Sequence, residues 1–359
     1  MKVLIFTPQF HQLGGAERSV IELAVELNNR GIHTDVLSMY ESKDKIIEEA
    51  KENLEANGVP NVHFLGLKVN PSFFSIFKAV YKLRKLVKSE KYTVVEASMV
   101  SPSIISILSF LGKDVRTIIG LRHVYKEGRE SSLQHRLFKT ISSWNKYVKY
   151  YAISEYAKKE WVKYSKVKED DCLVVYNSIP KKFFEAKEDR DAFRSELGIP
   201  KCAKVAIFVG RYAAYKGIDV VFDALKSEVY KHNLYLLFIG HPDLDVPGTD
   251  QILKRISRDI DSEGLREKIR FLGVRNDIDR VMASSDVLVH PTRTEAFGRS
   301  LAEALAAGLP IVATDVEAVP EVLCGTHSIL IPVDSTLALK NAVISILNKS
   351  STESISLLI

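Results

Sequence analysis

Cysteine is scarce in this 359-residue chain: Cys172, Cys202 and Cys324 are too few and too scattered for a disulfide framework or a zinc cluster, and they point to a reducing compartment. Long apolar runs are missing too. The nearest, Ile104 to Leu111, is interrupted by serines and falls short of the ~18–20 apolar residues that cross a bilayer. The opening Met1-Lys-Val-Leu-Ile-Phe-Thr-Pro has only four apolar residues in a row, too short for a signal-peptide core. No repeat of 20–50 residues is visible, which excludes a solenoid. Disorder is excluded as well, because 46% of the residues are hydrophobic and 26% charged, as in ordinary globular domains. At about 150 residues per domain, the length predicts two domains of a cytoplasmic protein.

What is present is unevenly charged. The net charge is +5, but residues 68–168 hold 21 basic and 7 acidic residues, a net of +14. A block of that size calls for an anionic partner, and solvated helix faces are the alternative. Within it, Phe73, Ile76, Phe77, Val80, Leu83 and Val87 fall on one side of a helical wheel, and Lys78, Lys82, Lys85 and Lys88 on the other. Phe74, Tyr81 and Leu86 flank the lysine stripe. That combination suits an anionic membrane surface. Nucleic acid is disfavoured, because the block carries no recognition module and no aromatic stacking signature.

Short β-branched runs alternate with helical patterns almost throughout. Strands are predicted over Lys2–Thr7, His33–Ser38, Val62–Leu67, Thr93–Ala97, Arg116–Leu121, Tyr150–Ile153 and Val174–Tyr176. The alternation weakens over Pro180–Lys187 and restarts at Val205–Val209, Tyr235–Ile239, Ile269–Leu272, Val287–His290, Ile311–Ala313 and Ile329–Ile331. Two doubly wound α/β halves with parallel sheets follow, residues 1–180 and 181–347, with a short tail at 348–359. Such sheets bind ligands at the carboxyl ends of their strands, so a cleft between the halves is the expected active site.

Three segments carry chemistry. After the first strand, Gly14-Gly15 open a helix, where free N–H groups favour an anion, although the G-x-G-x-x-G dinucleotide spacing is absent. After the strand ending at Val209 come Gly210-Arg211 and Lys216-Gly217, two cations placed to clamp a diphosphate. After the strand ending at His290, Glu295 lies in a loop, Gly298 opens a helix and Glu303 sits about one and a half turns into it. An anion can bind the helix N–H groups while the carboxylates accept hydrogen bonds from sugar hydroxyls.

Glu295 and Glu303, inside E-A-F-G-x-x-x-x-E-A-x-A-x-G-x-P, resemble the E-x7-E motif of retaining family-4 glycosyltransferases of GT-B fold. Gly210-Arg211…Lys216-Gly217 is similar to the family's G-R…K-G element, and Gly14-Gly15-Ala16-Glu17 to its first glycine loop. Tyr151-Ala-Ile-Ser154-Glu and Val174-Val-Tyr-Asn177-Ser-Ile-Pro180 resemble the approach to its linker. The resemblance implies that Arg211 and Lys216 hold the donor pyrophosphate and that Glu303 holds the ribose hydroxyls. Glu295 would touch the transferred sugar, the backbone of Phe297, Gly298 and Arg299 would contact sugar and phosphate, and Gly14-Gly15 would approach the phosphate from the first domain. His123 falls where the family often keeps an active-site histidine. Three departures stand out: Ser178 follows Asn177 where the family has glycine, Glu317-Ala318 replace a Gly-Gly pair before Val319-Pro320-Glu321, and little sequence follows Asn348 for the usual helix crossing back. That last feature leaves interdomain motion less restrained, or marks a truncated chain.

Asp243/Asp245, Asp259/Asp261 and Asp277/Asp279 each read D-x-D, by which another glycosyltransferase class holds Mg2+ or Mn2+. The second pair falls inside a predicted helix and the third at a helix start, where Asp is a favoured cap, so metal independence is expected. The composite expectation is a retaining transferase that moves a sugar from a UDP- or GDP-sugar to a glycan or lipid-linked acceptor, with no cofactor, peripheral at the inner membrane face. Two alternatives are a GT-B sugar-nucleotide epimerase and a non-enzymatic nucleotide-sugar or nucleic-acid binding protein.

Overall fold

The computed structural model describes residues 1–9, 15–40, 45–67, 73–113, 115–124, 133–144, 147–186 and 190–348. Gly14 and the tail from 349 onward lie outside these residues, as do the side chains of Phe73 and Phe74. The chain divides into two compact units, Met1–Asn177 and Ser178–Ile359, each an α/β layer structure.

The first unit holds β1 (Lys2–Thr7), β2 (His33–Tyr40), β3 (Val62–Leu67), β4 (Val94–Ser98), β5 (Arg116–Leu121), β6 (Val148–Ala152) and β7 (Cys172–Val174). They form one sheet in the order β3-β2-β1-β4-β5-β6-β7, and every pairing is parallel. The second unit holds β8 (Lys204–Val209), β9 (Leu234–Ile239), β10 (Ile269–Gly273), β11 (Val287–His290), β12 (Ile311–Thr314) and β13 (Ile329–Ile331), ordered β10-β9-β8-β11-β12-β13 and again all parallel. Parallel neighbours need crossovers, and the crossover helices cover both faces of each sheet. That is why β9, Leu-Tyr-Leu-Leu-Phe-Ile, is apolar at every position and wholly buried, instead of alternating. Each sheet is sandwiched between two apolar clusters. Leu4, Phe6 and Ile119 face one side of the first sheet, and Val3, Ile5 and Val36 the other. In the second sheet, Phe208 and Phe238 face one side, and Ile207 and Leu237 the other.

The strand order reverses beside β1 in one unit and beside β8 in the other. Crossovers on either side of such a point run in opposite directions and leave a crevice at the carboxyl ends of the strands. In the second unit the loops that flank this point follow β8 and β11. They carry Arg211, Lys216, Glu295 and Gly298.

Two strand positions differ from expectation. Where Tyr150–Ile153 is predicted, the strand is Val148–Ala152, and where Val174–Tyr176 is predicted, it is Cys172–Val174. β7 is the edge strand, with a neighbour on one side only, and the apolar Val175 and Tyr176 beyond it are exposed; β6 is paired on both sides and starts two residues earlier than predicted, with Lys149 exposed within it. The Phe73–Glu90 helix departs from the predicted wheel in part. Ile76, Val80, Leu83 and Val87 pack on the core as predicted, but Ala79 and Leu86 join them, whereas Phe77 points outward at 61% exposure. The buried stripe is turned toward Ala79, a small residue that a wheel weighted on large residues overlooks.

Candidate active site

The β8 loop is built around a close approach. Gly217 has φ +71, and a Cβ there would lie 2.0 Å from the Pro291 carbonyl oxygen, so only glycine lets the β8 and β11 loops touch. Lys216 is thereby brought against the β11 loop, where its Nζ donates to Glu295 Oε2 at 2.5 Å. The same oxygen lies 3.2 Å from His290 Nε2, at the end of β11. His290 is only 3% exposed, and its Nδ1 lies 3.4 Å from Ser300 Oγ. Burial favours the neutral ring and lowers its pKa, with Glu295 opposing. A neutral ring facing a carboxylate must carry its proton on Nε2, which leaves Nδ1 to accept from Ser300. For Glu295 burial alone would raise the pKa, but Lys216 and the His290 hydrogen bond outweigh it and hold the carboxyl well below the usual range. Lys216, Glu295 and His290 thus form a linked cation, carboxylate and imidazole at the switch point.

Gly298 caps the Arg299–Ala306 helix in the left-handed region, φ +83. A Cβ at this position would meet Leu301 Cδ1 at 2.6 Å and Glu295 Cγ at 3.3 Å. The residue therefore keeps the approach to the helix N–H groups open beside Glu295. Glu303 follows on the same helix, 4% exposed, and its Oε1 accepts from Arg299 Nε at 2.8 Å. Phe297 is buried, and Arg299 is engaged through its side chain as well as lying at the helix start. Arg211 donates to Asp243 Oδ2 at 2.8 Å and faces the Tyr215 ring, 5.8 Å from its centroid. Asp243 belongs to the first D-x-D pair, so its charge is answered by this arginine. The other pairs are occupied as well: Asp259 by Lys226 and Arg255, Asp261 by Arg266, Asp279 by Lys182. Asp277, expected to cap a helix, makes no side-chain cap and pairs instead with Arg275 at 2.6 Å.

In the first unit, Gly15 starts the Gly15–Asn29 helix after β1. His123 follows β5, its carbonyl oxygen accepting from Trp161 Nε1 at 2.7 Å and its ring standing edge-on to Trp161 at 5.0 Å. Beside it lies a polar network. Arg122, 8% exposed, donates to Ser98 Oγ (2.9 Å), Tyr151 Oη (2.5 Å) and Asn177 Oδ1 (3.2 Å). Ser98 and Tyr151 in turn donate to Glu96 Oε1, so two hydroxyls relay the charge of a buried arginine to a buried carboxylate. Next to Ser98, Met99 has φ 74 and ψ 164, a strained backbone region otherwise kept by glycine.

Sequence reasoning missed the Arg122 network and gave His290 no role, and it read Asp243 only as part of a D-x-D pair and Glu317 only as a departure from a glycine pair. His290 left a local signal, a histidine before Pro291 at the end of a strand.

These two doubly wound domains define the GT-B class of fold. Anabaena HepE, solved with UDP and glucose, superposes with a TM-score of 0.81 at 21% identity, over 97% of this chain and 90% of that one. The model for glycosyl transferases group 1 matches residues 189–355, and that for glycosyltransferase family 4 matches residues 13–183. The chain belongs to this glycosyltransferase family. An uncharacterized glycosyltransferase of Methanocaldococcus jannaschii is 30% identical over 176 residues, 48% of this chain and 43% of that protein. The lipopolysaccharide glucosyltransferase WaaG of Escherichia coli is 33% identical over 143 residues, 38% and 36% of the two chains. A phosphatidyl-myo-inositol mannosyltransferase of Mycobacterium tuberculosis is 37% identical over 155 residues, 41% and 38%. The matched stretch thus spans about two fifths of these curated relatives.

Proposed function

We propose that this protein transfers a sugar, with retention of anomeric configuration and without a metal, from a nucleotide-diphospho-sugar to a lipid-linked or saccharide acceptor. The observation that carries the reading is the Lys216–Glu295–His290 link at the β8/β11 switch point, beside the helix N-terminus at Gly298. The chemical problem is departure of a diphosphate while positive charge builds on the anomeric carbon. Lys216, Arg211 and the helix N–H groups answer the leaving charge, and they are fixed before reaction, so little reorganisation accompanies it. Because the diphosphate meets two cations there, a metal is not required. Glu303 accepts from the ribose hydroxyls, and Glu295 touches the sugar. In the same-face displacement, the bond from the anomeric carbon to phosphate breaks as the bond to the acceptor oxygen forms. The acceptor proton passes to the leaving phosphate oxygen.

The acceptor side is assigned to the first unit, with His123 and the Gly14-Gly15 loop as its candidate residues from the sequence resemblance. The rotation of the Phe73–Glu90 helix leaves Phe77 and Tyr81, 61% and 68% exposed, beside Lys78, Lys85 and Lys88. Lys82 turns away and donates to the Leu65 carbonyl at 2.5 Å. Three lysines near an anionic bilayer contribute about 3 kcal/mol together, enough for reversible docking with two aromatic side chains. Among the described residues no helix is long and apolar enough to cross a membrane.

A thermal-shift and calorimetric screen across UDP-, GDP- and ADP-sugars tests the donor site. One nucleotide series should stabilise the protein, and the matching sugar-nucleotide should bind with displacement by its free diphosphate. Absence of binding across all three series would overturn the reading. Conversion of the donor sugar to its epimer without any acceptor would replace transfer with epimerisation.

A further inference from the structure

Glu317, in the loop after β12, has φ +52, a left-handed conformation that glutamate adopts rarely. Its side chain reaches across to the β11 loop, where Oε2 accepts from the Glu295 backbone N–H at 2.7 Å and from Thr294 Oγ1 at 2.7 Å. The next residue completes the grip, since the Ala318 N–H donates to the Glu295 carbonyl oxygen at 3.3 Å. Both backbone polar groups of Glu295 are therefore held by one two-residue segment. Below them, Thr314 Oγ1 donates to the Thr292 carbonyl oxygen at 2.6 Å, joining the same two loops.

We infer that Glu317 is a positioning residue: it fixes the backbone of Glu295 so that the Glu295 carboxylate is delivered to Lys216, His290 and the transferred sugar. This inference deepens the transfer reading above and rests on it. An ionised carboxylate taking an N–H and an O–H makes charge-assisted bonds, stronger than neutral ones. A side chain bound this way, from a backbone conformation only glycine takes freely, marks a place where geometry is enforced. Misplacing a reacting contact by about 1 Å lowers turnover by about a hundredfold, so a loose Glu295 loop would show in rate more than in nucleotide binding.

The test compares Glu317→Gly, Glu317→Gln and Thr294→Val with wild type. Glycine accepts φ +52 without strain, so Glu317→Gly should fold while losing the clamp. Amide exchange over residues 293–297, read by mass spectrometry without any ligand, should speed up about tenfold or more in Glu317→Gly. It should stay near wild type in Glu317→Gln, whose amide oxygen still accepts. With whichever UDP-, GDP- or ADP-sugar the wild type turns over, Glu317→Gly should lose about ten- to a hundredfold in kcat. Affinity for the corresponding free nucleoside diphosphate should change less than about threefold, because the phosphate contacts are intact. Glu317→Gln should recover most of the rate, and Thr294→Val, lacking one of the two bonds, should fall between. Wild-type exchange in Glu317→Gly, or equal loss of kcat and nucleotide affinity, would overturn the inference. A wild-type chain inert toward every donor would overturn the transfer reading instead, while the exchange comparison still decides the clamp.

Discussion

The two units share a sheet topology but handle charge in opposite ways. In the second, the candidate site is a closed set of pairs, Lys216 with Glu295, Arg211 with Asp243 and Arg299 with Glu303, with Arg293 held by Asp219 and Asp334 nearby. In the first, Lys78, Lys85 and Lys88 on the Phe73–Glu90 helix have no carboxylate partner among the described residues, and the one buried arginine site, Arg122, reaches Glu96 only through hydroxyls. The contrast fits the roles proposed above for the two surfaces. Paired cations suit a defined ligand of fixed geometry, which exchanges partners one for one. Unpaired lysines beside exposed aromatics suit a broad anionic surface that needs no fixed geometry.

The sharpest way to break this comparison is to remove a paired cation. Lys216→Ala should lose about 2–4 kcal/mol of transition-state stabilisation, as when an oxyanion donor is deleted. Arg211→Ala should lose less, because it is more exposed than Lys216. Folded variants with wild-type turnover would remove both from the mechanism. Glu303→Ala comes next, with about 1–3 kcal/mol lost from nucleotide affinity and a smaller effect on kcat, because ribose contacts persist from ground to transition state. Calorimetry with the donor nucleotide checks it.

Stability against pH gives a smaller effect with a definite sign. His290 is buried neutral, so its folded pKa lies below the ordinary 6.5, and Glu295 lies below the ordinary 4.5. In both cases the unfolded chain binds more protons in the window between the two values, so stability rises with pH there. The His290 contribution is complete above about 6.5 and erodes as pH falls below it; the Glu295 contribution erodes below about 4.5 and is lost as pH falls through its folded pKa. Denaturant midpoints of Glu295→Gln should depend less on pH than those of wild type below about 4.5. Parallel curves would contradict the pairing. The smallest effect belongs to the first unit. Replacing Lys78, Lys85 and Lys88 by glutamine should abolish salt-sensitive sedimentation with anionic liposomes and leave transfer to a soluble acceptor unchanged. Equal binding of wild type to neutral and anionic liposomes, or none at low salt, would end the membrane proposal.

Most strands were legible from the sequence because a buried parallel strand is a short apolar run that only a helix-length segment can follow. β11, buried at all four positions, carries that signal undiluted. β7 does not, since the apolar run continues past it into Val175 and Tyr176, which are exposed beyond the strand. The Phe73–Glu90 helix was legible as a helix, and most of its buried side too, but not the place of Phe77 outside and small Ala79 inside. In the site, Glu295, Gly298 and Glu303 are close in sequence and could be read together. Asp243, His290 and Glu317 matter because of what they touch, and their partners are either in other loops or hidden in an otherwise apolar strand end. Pairings such as Arg211 with Asp243 and Thr294 with Glu317 are made by the order of the strands. No local pattern encodes them.

On the transfer reading proposed above, fixed cations of the second unit support departure of a diphosphate with retention at the anomeric carbon. The direct measurement follows the reaction of the bound nucleotide-sugar with an acceptor by proton NMR in the presence of EDTA. Turnover should be undiminished, and the product should have the anomeric configuration of the donor. An inverted product, or activity lost to EDTA and restored by Mg2+ or Mn2+, would contradict it.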